Sequence, residues 1–209
     1  MMKNIVVLVS GGGTNLQALL DAQDRGEITN GRITCVISSN PKAYALTRAD
    51  NHGVPHEVIR RRDFTEFEAY DSALTDLVRS KNADLVVLAG FMTILGSQFI
   101  KSFENRIINI HPALIPSFCG EGYYGLRVHE EALKRGVKVT GATAHFVNEV
   151  CDGGPIILQK AVEIKNGDTP ETLQKRVMEQ AEWKILPKAV DLFCNDKIKI
   201  IGSTTEITE

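Results

Sequence analysis

The sequence lacks the cysteine pattern of a zinc site or of a disulfide-stapled fold. It has only four cysteines, and no two of them form a C-x-x-C pair: Cys35, Cys119, Cys151 and Cys194. The H-E-x-x-H spacing of zinc proteases and the G-x-S-x-G turn of serine hydrolases are missing too, and we expect no metal. Scattered thiols favour a reducing compartment, which predicts a cytoplasmic protein.

The sequence also lacks an excess of charge of either sign and any long apolar run. Lys and Arg number 24 against 26 Asp and Glu, which gives a formal net charge of −2. This balance argues against nucleic acid or a membrane surface as a partner. The apolar run at residues 5–9 is too short for a signal peptide, and no run approaches the roughly 20 residues of a transmembrane helix. We expect one domain over residues 1–209.

Short apolar runs alternate with helical patterns in the first half of the chain. Continuous apolar runs of this kind are typical of strands covered on both faces. The predicted strands are 5–9, 33–37, 85–89 and 107–110, and the predicted helices are 16–22, 43–52, 64–80 and 94–103. This alternation predicts an α/β fold, a doubly wound, mostly parallel sheet with helices on both faces.

The pattern changes after residue 110, where a loop rich in proline and glycine begins. The remaining predicted elements are a loop at 111–126, a helix at 128–133, strands at 137–147, 155–164 and 198–201, and a helix at 171–193. Pro187 must kink or break that last helix, because proline lacks the backbone N–H. The polar tail, residues 202–209, is expected to be frayed.

The segment Ser10-Gly-Gly-Gly-Thr-Asn15 joins a predicted strand to a predicted helix. Thr14 and Gln17 have the spacing of a capping box. Glycines let a backbone approach a ligand, and the start of a helix offers free N–H groups, which suits a phosphate. A tight strand-to-helix turn without a ligand explains the same segment equally well.

Three polar residues are candidates for chemistry. Asn109 and His111 are two apart on a predicted strand, so their side chains point the same way. An amide beside an imidazole can stabilise an oxyanion and supply a proton, although a hydrogen-bonded pair at a strand end is the simpler interpretation. Asp152 lies in a glycine-rich turn and could raise the pKa of a histidine, or could be a turn residue only.

Other polar residues are expected to be structural. His145 lies in the middle of a predicted strand, where a hydrogen-bonded core histidine is more common than a catalyst. The three arginines at 60–62 precede a helix and are expected to lie on a solvated edge.

Four motifs in fixed order carry a resemblance to a known family. They are the glycine loop, Leu88-Ala-Gly-Phe-Met92, Asn109-Ile-His-Pro-Ala-Leu-Ile-Pro116 and Gly141-Ala-Thr-Ala-His-Phe-Val-Asn-Glu-Val-Cys-Asp-Gly-Gly-Pro155. With these motifs the chain resembles the folate-dependent phosphoribosylglycinamide formyltransferases, over about residues 3–201. The resemblance implies a formyltransferase-like variant of the Rossmann fold. It also implies transfer of a formyl group from 10-formyltetrahydrofolate to the amine of 5′-phosphoribosylglycinamide (GAR) in purine biosynthesis.

The resemblance implies a role for individual residues as well. Asn109 and His111 would stabilise the tetrahedral intermediate, and Asp152 would keep His111 protonated. The residues implied to hold the ribonucleotide are Gly12, Gly13, Thr14, Asn15 and Glu182. Those implied for the folate are Met92, Thr93, Ile94 and Leu95, together with Asn109 and Asp152.

The resemblance divides the chain into a ribonucleotide-binding half, about 1–110, and a half at about 111–201 that completes the folate site. This sequence departs from the family pattern at Phe67 and Thr93, where arginines are usual, and at Arg127, where a histidine is usual. Two alternatives stay open. The same three polar residues could hydrolyse the formyl folate, or the sheet could be a non-catalytic nucleotide-binding module.

Overall fold

The apolar runs form the strands of one seven-stranded sheet in the computed structural model, which describes residues 2–208. The strands are β1 (Lys3–Val9), β2 (Gly31–Ser38), β3 (His56–Val58), β4 (Leu85–Leu88), β5 (Ile107–His111), β6 (Val139–Phe146) and β7 (Ile156–Glu163). A separate hairpin is formed by β8 (Ile198–Ile201) and β9 (Thr204–Ile207).

Seven α-helices within residues 2–208 surround the sheet. They are α1 (Thr14–Asp24), α2 (Tyr44–Asn51), α3 (Phe67–Ser80), α4 (Ser97–Ser102), α5 (Leu126–Arg135), α6 (Pro170–Val177) and α7 (Trp183–Cys194). None of the helices in the described part of the chain has the length and apolar character that crossing a membrane requires.

The strand order is β3-β2-β1-β4-β5-β6-β7, and the first five of these strands run parallel. Strands β6 and β7 are antiparallel to their neighbours. The chain leaves β1 toward β2 and later returns to β1's other side with β4. Such a switch point opens a crevice at the carboxyl ends of the strands, where ligands of this architecture bind. The predicted mostly parallel sheet is confirmed.

Apolar side chains cover both faces of the sheet. Ile5, Val7 and Val9 point to one face and pack in a core with residues of α1, α2, α6 and α7. Val6 and Leu8 point to the other face and pack with residues of α3 and α4. A strand buried on both faces needs apolar residues at every position, which explains its unbroken run. Helices on both faces are therefore confirmed.

The tail differs from the expectation. Residues 204–207 are not frayed, because they pair with β8 around a two-residue turn at Gly202 and Ser203. Gly202 has a positive φ of 60°, which such a hairpin turn requires. The hydroxyl of Thr205 also donates to the carbonyl of Ile156 at 2.6 Å. Residue 209, the end of the predicted tail, lies outside the described residues.

Three helix predictions also need correction. Helix α1 has no capping box, because Thr14 is its first helical residue and the N-cap is Gly13. Helix α4 begins only at Ser97. The long last helix is divided at a π-helical turn, Met178–Glu182, and Pro187 lies inside α7. This wider turn comes just before Trp183, the residue whose carbonyl the ring of Pro187 would crowd.

Candidate functional site

Strands β1, β4 and β5 are neighbours, and the segments that follow them meet at one edge of the sheet. A direct contact joins the first two segments, because the N–H of Met92 donates to Ser10 Oγ at 2.8 Å. Ser10 Oγ also lies 2.6 Å from Ser39 Oγ, at the end of β2. Sequence reasoning assigned no role to Ser10, although it begins the glycine loop. The loops that hold the candidate ribonucleotide and folate residues are thus physically linked.

The glycine loop is clamped by helix α2. The N–H of Ala45 donates to the Gly11 carbonyl at 3.1 Å, and Arg48 Nε donates to the Gly12 carbonyl at 2.8 Å. Gly13 has a φ of 71°, and a Cβ there would lie 2.6 Å from Cβ of Ala45. Only glycine fits this position. No side chain caps the start of α1, so its first N–H groups face the loop with the positive end of the helix dipole.

Asn15 and Glu182 meet although 167 residues separate them in the chain. Asn15 Nδ2 donates to Glu182 Oε2 at 2.7 Å, and both side chains are buried. Burial raises the pKa of Glu182 to about 7, although the Asn15 contact acts in the opposite direction. The contact brings together two of the candidate ribonucleotide residues.

A cavity of about 260 Å³ lies between α1, α2 and the start of α7, beside this contact. Its charged lining residues are Arg25, Arg48 and Lys184 together with one acid, Asp21, and its other lining residues include Thr14 and Trp183. The cavity therefore extends from the glycine loop along a partly basic wall.

His111 is only 4% exposed at the end of β5 and has a partner at each ring nitrogen. Nε2 lies 2.8 Å from the Phe118 carbonyl oxygen, which can only accept, so Nε2 carries a proton. Nδ1 lies 3.4 Å from Asp152 Oδ2. Burial lowers the pKa of His111, and Asp152 opposes this without overcoming it. The expectation that Asp152 raises the pKa of His111 above its free value is therefore wrong in its net direction, because sequence spacing does not reveal burial.

Asp152 is held in place by backbone geometry. It has a φ of 53° in the turn between β6 and β7, a left-handed conformation that aspartate tolerates better than most residues. Its Oδ2 accepts a hydrogen bond from the Gly120 N–H at 2.9 Å. Burial would raise the pKa of Asp152, but surrounding groups, among them His111 and the Gly120 N–H, hold it below its ordinary value. Asp152 is thus a carboxylate aimed at His111.

The loop after β5 is itself held by groups that sequence reasoning missed. Thr143 Oγ1 donates to the Ala113 carbonyl at 2.7 Å and accepts from the Ile115 N–H at 3.1 Å. Phe118, whose carbonyl contacts His111, has a φ of 50°. A bulky residue in the left-handed region is strained, and such strain is concentrated at functional sites. No sequence signal identifies these backbone contacts.

Asn109 lies opposite His145 in the pairing of β5 with β6. Its Nδ2 is 3.2 Å from His145 Nε2. His145 is 1% exposed and hydrogen-bonded, as expected of a core histidine. The structure thus places Asn109, His111 and Asp152 around one small region, with His145 in contact with the first.

The segment after β4 presents apolar side chains to solvent beside this region. Met92 is 55% and Ile94 is 77% exposed. Exposed apolar side chains at a crevice suit the flat ring of a ligand. Within residues 2–208, no group of three or more His, Cys, Asp and Glu side chains is arranged to hold a metal ion.

Comparisons with known proteins point in one direction. The formyl transferase family matches residues 3–190. The chain is 41% identical to the phosphoribosylglycinamide formyltransferase of Haemophilus influenzae over 199 residues, 95% of this chain and 91% of that protein. It is also 41% identical to the trifunctional purine biosynthetic protein adenosine-3 of Bos taurus, over 94% of this chain but only 19% of that protein's length.

A solved structure is similar to this chain in both fold and sequence. The glycinamide ribonucleotide transformylase 1 of Symbiobacterium toebii superposes with a TM-score of 0.94 at 42% identity. The match covers 100% of this chain and 95% of that one.

Proposed function

The chain belongs to the formyl transferase family, and we propose that it transfers the formyl group of 10-formyltetrahydrofolate to the amine of GAR in purine biosynthesis. One observation carries this proposal. The glycine loop, the segment after β4 and the group Asn109, His111 and Asp152 lie at the same edge of the sheet. Two small substrates bound there would meet at the polar group.

The polar group suits acyl transfer between two amines. The GAR nitrogen forms a bond to the formyl carbon, whose oxygen becomes negatively charged. Asn109 Nδ2 donates a hydrogen bond to that oxygen, and protonated His111 balances its charge. The bond from the formyl carbon to N10 of the folate then breaks. The proton lost by the GAR amine reaches N10 through His111 and water.

Asp152 supports His111 in this sequence. When His111 takes up a second proton, it has an N–H at each ring nitrogen. One faces the Phe118 carbonyl and the other faces the Asp152 carboxylate, at 2.8 and 3.4 Å in the structure. The carboxylate stabilises the imidazolium where burial alone would exclude it. The imidazolium held in this way can offset the charge that develops on the formyl oxygen.

The glycine loop would hold the ribonucleotide. Free N–H groups at Gly12, Gly13 and Thr14 suit the phosphate, and the start of α1 adds its positive dipole. Asn15 and Glu182, joined at 2.7 Å, border the same loop and would contact the substrate. This anchor would fix the amine relative to His111.

The segment after β4 would bind the folate. Met92, Thr93, Ile94 and Leu95 provide apolar contacts and backbone groups for the ring, with Asn109 and Asp152 at its reactive end. In this assignment, residues up to about 110 bind the ribonucleotide and residues at about 111–201 complete the folate site.

We expect the enzyme to act in the cytoplasm, with small molecules and neither nucleic acid nor membrane as partners.

The test is to incubate the protein with 10-formyltetrahydrofolate, with and without GAR, and to follow tetrahydrofolate. We expect release only with GAR. Release without GAR would mean hydrolysis, and no release in either case would mean a binding module. His111→Asn should abolish release, whereas the control His56→Asn, a half-buried histidine paired with Asp50, should not.

A further inference from the structure

His145 is a buried histidine to which the proposed reaction gives no role. It lies on β6 with 1% of its surface exposed. Its ring lies between two residues of the polar group, since Nε2 is 3.2 Å from Asn109 Nδ2 and 3.6 Å from Asp152 Oδ1. A histidine in this position can influence how the amide is presented to the substrate.

The other ring nitrogen fixes which tautomer is present. Nδ1 of His145 lies 2.7 Å from the carbonyl oxygen of Phe146. A carbonyl can only accept, so Nδ1 must carry the proton. In the singly protonated ring, Nε2 then has a lone pair and accepts a hydrogen bond.

The lone pair on Nε2 meets the amide of Asn109. An amide nitrogen can only donate, and its distance of 3.2 Å from Nε2 is within hydrogen-bond range. The 3.6 Å to Asp152 Oδ1 is beyond that range. One N–H of the Asn109 amide is therefore committed to His145, and the second is left for another acceptor.

This contact also decides which way the amide faces. Turning it by half a revolution would place Asn109 Oδ1 against the Nε2 lone pair, so that two acceptors would repel each other. The β5–β6 pairing holds both backbones in register at this point, because Asn109 pairs with His145. The amide is oriented before any substrate arrives.

We propose that His145 is a positioning residue, which accepts a hydrogen bond from Asn109 and so aims the second amide N–H at the formyl oxygen of the substrate. This inference rests on the proposed function, because it assigns that oxygen as the acceptor. Preorganised donors of this kind stabilise a developing oxyanion without reorganising during the reaction.

Two substitutions distinguish the role of Nε2 as a hydrogen-bond acceptor from the other properties of His145. His145→Gln can place a side-chain oxygen near the position of Nε2, whereas His145→Asn is long enough to reproduce only the Nδ1 contact. We expect His145→Asn to lower kcat by about 10²-fold with little change in either KM, since misplacing a catalytic group by about 1 Å has that effect. His145→Gln should recover most of the loss.

A double-mutant cycle tests the coupling. In an Asn109→Ala background, the His145→Asn substitution should lower kcat by less than threefold, because its effect on kcat depends on the Asn109 amide, which is then missing. A full loss in that background would contradict the inference. An equal decrease in kcat in His145→Gln and His145→Asn would also contradict the inference, provided that circular dichroism shows both variants to be folded.

NMR of the ¹⁵N-labelled protein without substrate gives a readout that does not depend on catalysis. We expect His145 in the Nδ1–H tautomer and a shift of the Asn109 side-chain amide signals in His145→Asn. An Nε2–H or doubly protonated ring would overturn the inference. If this result holds while the wild-type protein transfers no formyl group to GAR, the proposed function fails and the oriented amide has no formyl oxygen to bind.

Discussion

At the scale of single residues, two opposing effects act on the proton of His111. Burial disfavours the imidazolium, and the Asp152 carboxylate 3.4 Å away favours it. The effect of burial is the larger one, so His111 has a lowered pKa in the resting protein, and the carboxylate makes this lowering smaller. A proton that is held weakly is easily passed on, which suits a group that must both accept and donate it during one reaction.

Asn15 offers a test of the ribonucleotide anchor. Asn15→Leu should raise KM for GAR by about tenfold or more, since a hydrogen bond to a charged group contributes about 1.5–3 kcal/mol. KM for the folate should change little. The control Asn51→Leu changes an exposed asparagine at the end of α2. Steady-state kinetics with each substrate varied in turn would measure both constants, and equal weakening of the two would show that the loop does not discriminate between them.

Residue spacing predicted part of the candidate site. Asn109 and His111 were expected to point the same way because they are two apart on a strand. The meeting of His111 with Asp152, and the partners Phe118, Gly120 and His145, could not be predicted. These contacts depend on the paths of two loops and on the register of β5 against β6. No periodic pattern in the local sequence predicts either of these.

At the scale of elements, one buried carboxylate joins two helices. Asp71 is a buried polar residue on the apolar face of α3. Its oxygens accept hydrogen bonds from the N–H groups of Gly96 at 2.8 Å and Phe99 at 3.2 Å, at the start of α4. A polar residue inside an apolar stripe thus has a structural reason, which is to cap a neighbouring helix.

Removing this cap should destabilise the fold. Asp71→Ala leaves two buried N–H groups unpaired, so we expect the free energy of unfolding to fall by about 2–4 kcal/mol. Asp76→Ala, on the exposed side of the same helix, should change it by less than about 0.5 kcal/mol. Urea unfolding followed by circular dichroism measures both, and a similar small change for the two variants would refute the capping role.

At the scale of the whole molecule, the strands of the sheet could be predicted from the sequence, whereas the contacts between distant parts of the chain could not. Buried parallel strands have unbroken apolar runs, which the chain shows clearly in β1 and β4. The β8–β9 hairpin depends partly on a contact with a distant part of the chain, because the Thr205 hydroxyl donates to the Ile156 carbonyl. The contact between Asn15 and Glu182 likewise connects the first helix to the last part of the fold.

Glu182 makes stability depend on pH. Its folded pKa of about 7 exceeds the reference value of 4.5, so the folded state binds the proton more tightly. This contribution is complete below pH 4.5 and is lost as pH rises through about 7. Between pH 4 and pH 8 the loss is about 3 kcal/mol, at about 1.4 kcal/mol per pH unit.

Glu182→Gln removes this titration and keeps the shape of the side chain. Its free energy of unfolding relative to wild type should rise by about 3 kcal/mol from pH 4 to pH 8. Denaturant unfolding at several pH values measures the difference. A constant difference across that range would mean that Glu182 has the same pKa in the folded and unfolded states, which would contradict the raised folded pKa.

NMR titration of His111 in the wild-type and Asp152→Asn proteins measures whether Asp152 acts on the proton of His111. The substitution keeps the shape and removes the charge that opposes burial. We predict that His111 titrates at lower pH in Asp152→Asn than in wild type, and that the rate at neutral pH falls by roughly 10²–10⁴ while both substrates still bind. An unchanged His111 titration would contradict the account and leave Asp152 as a turn residue.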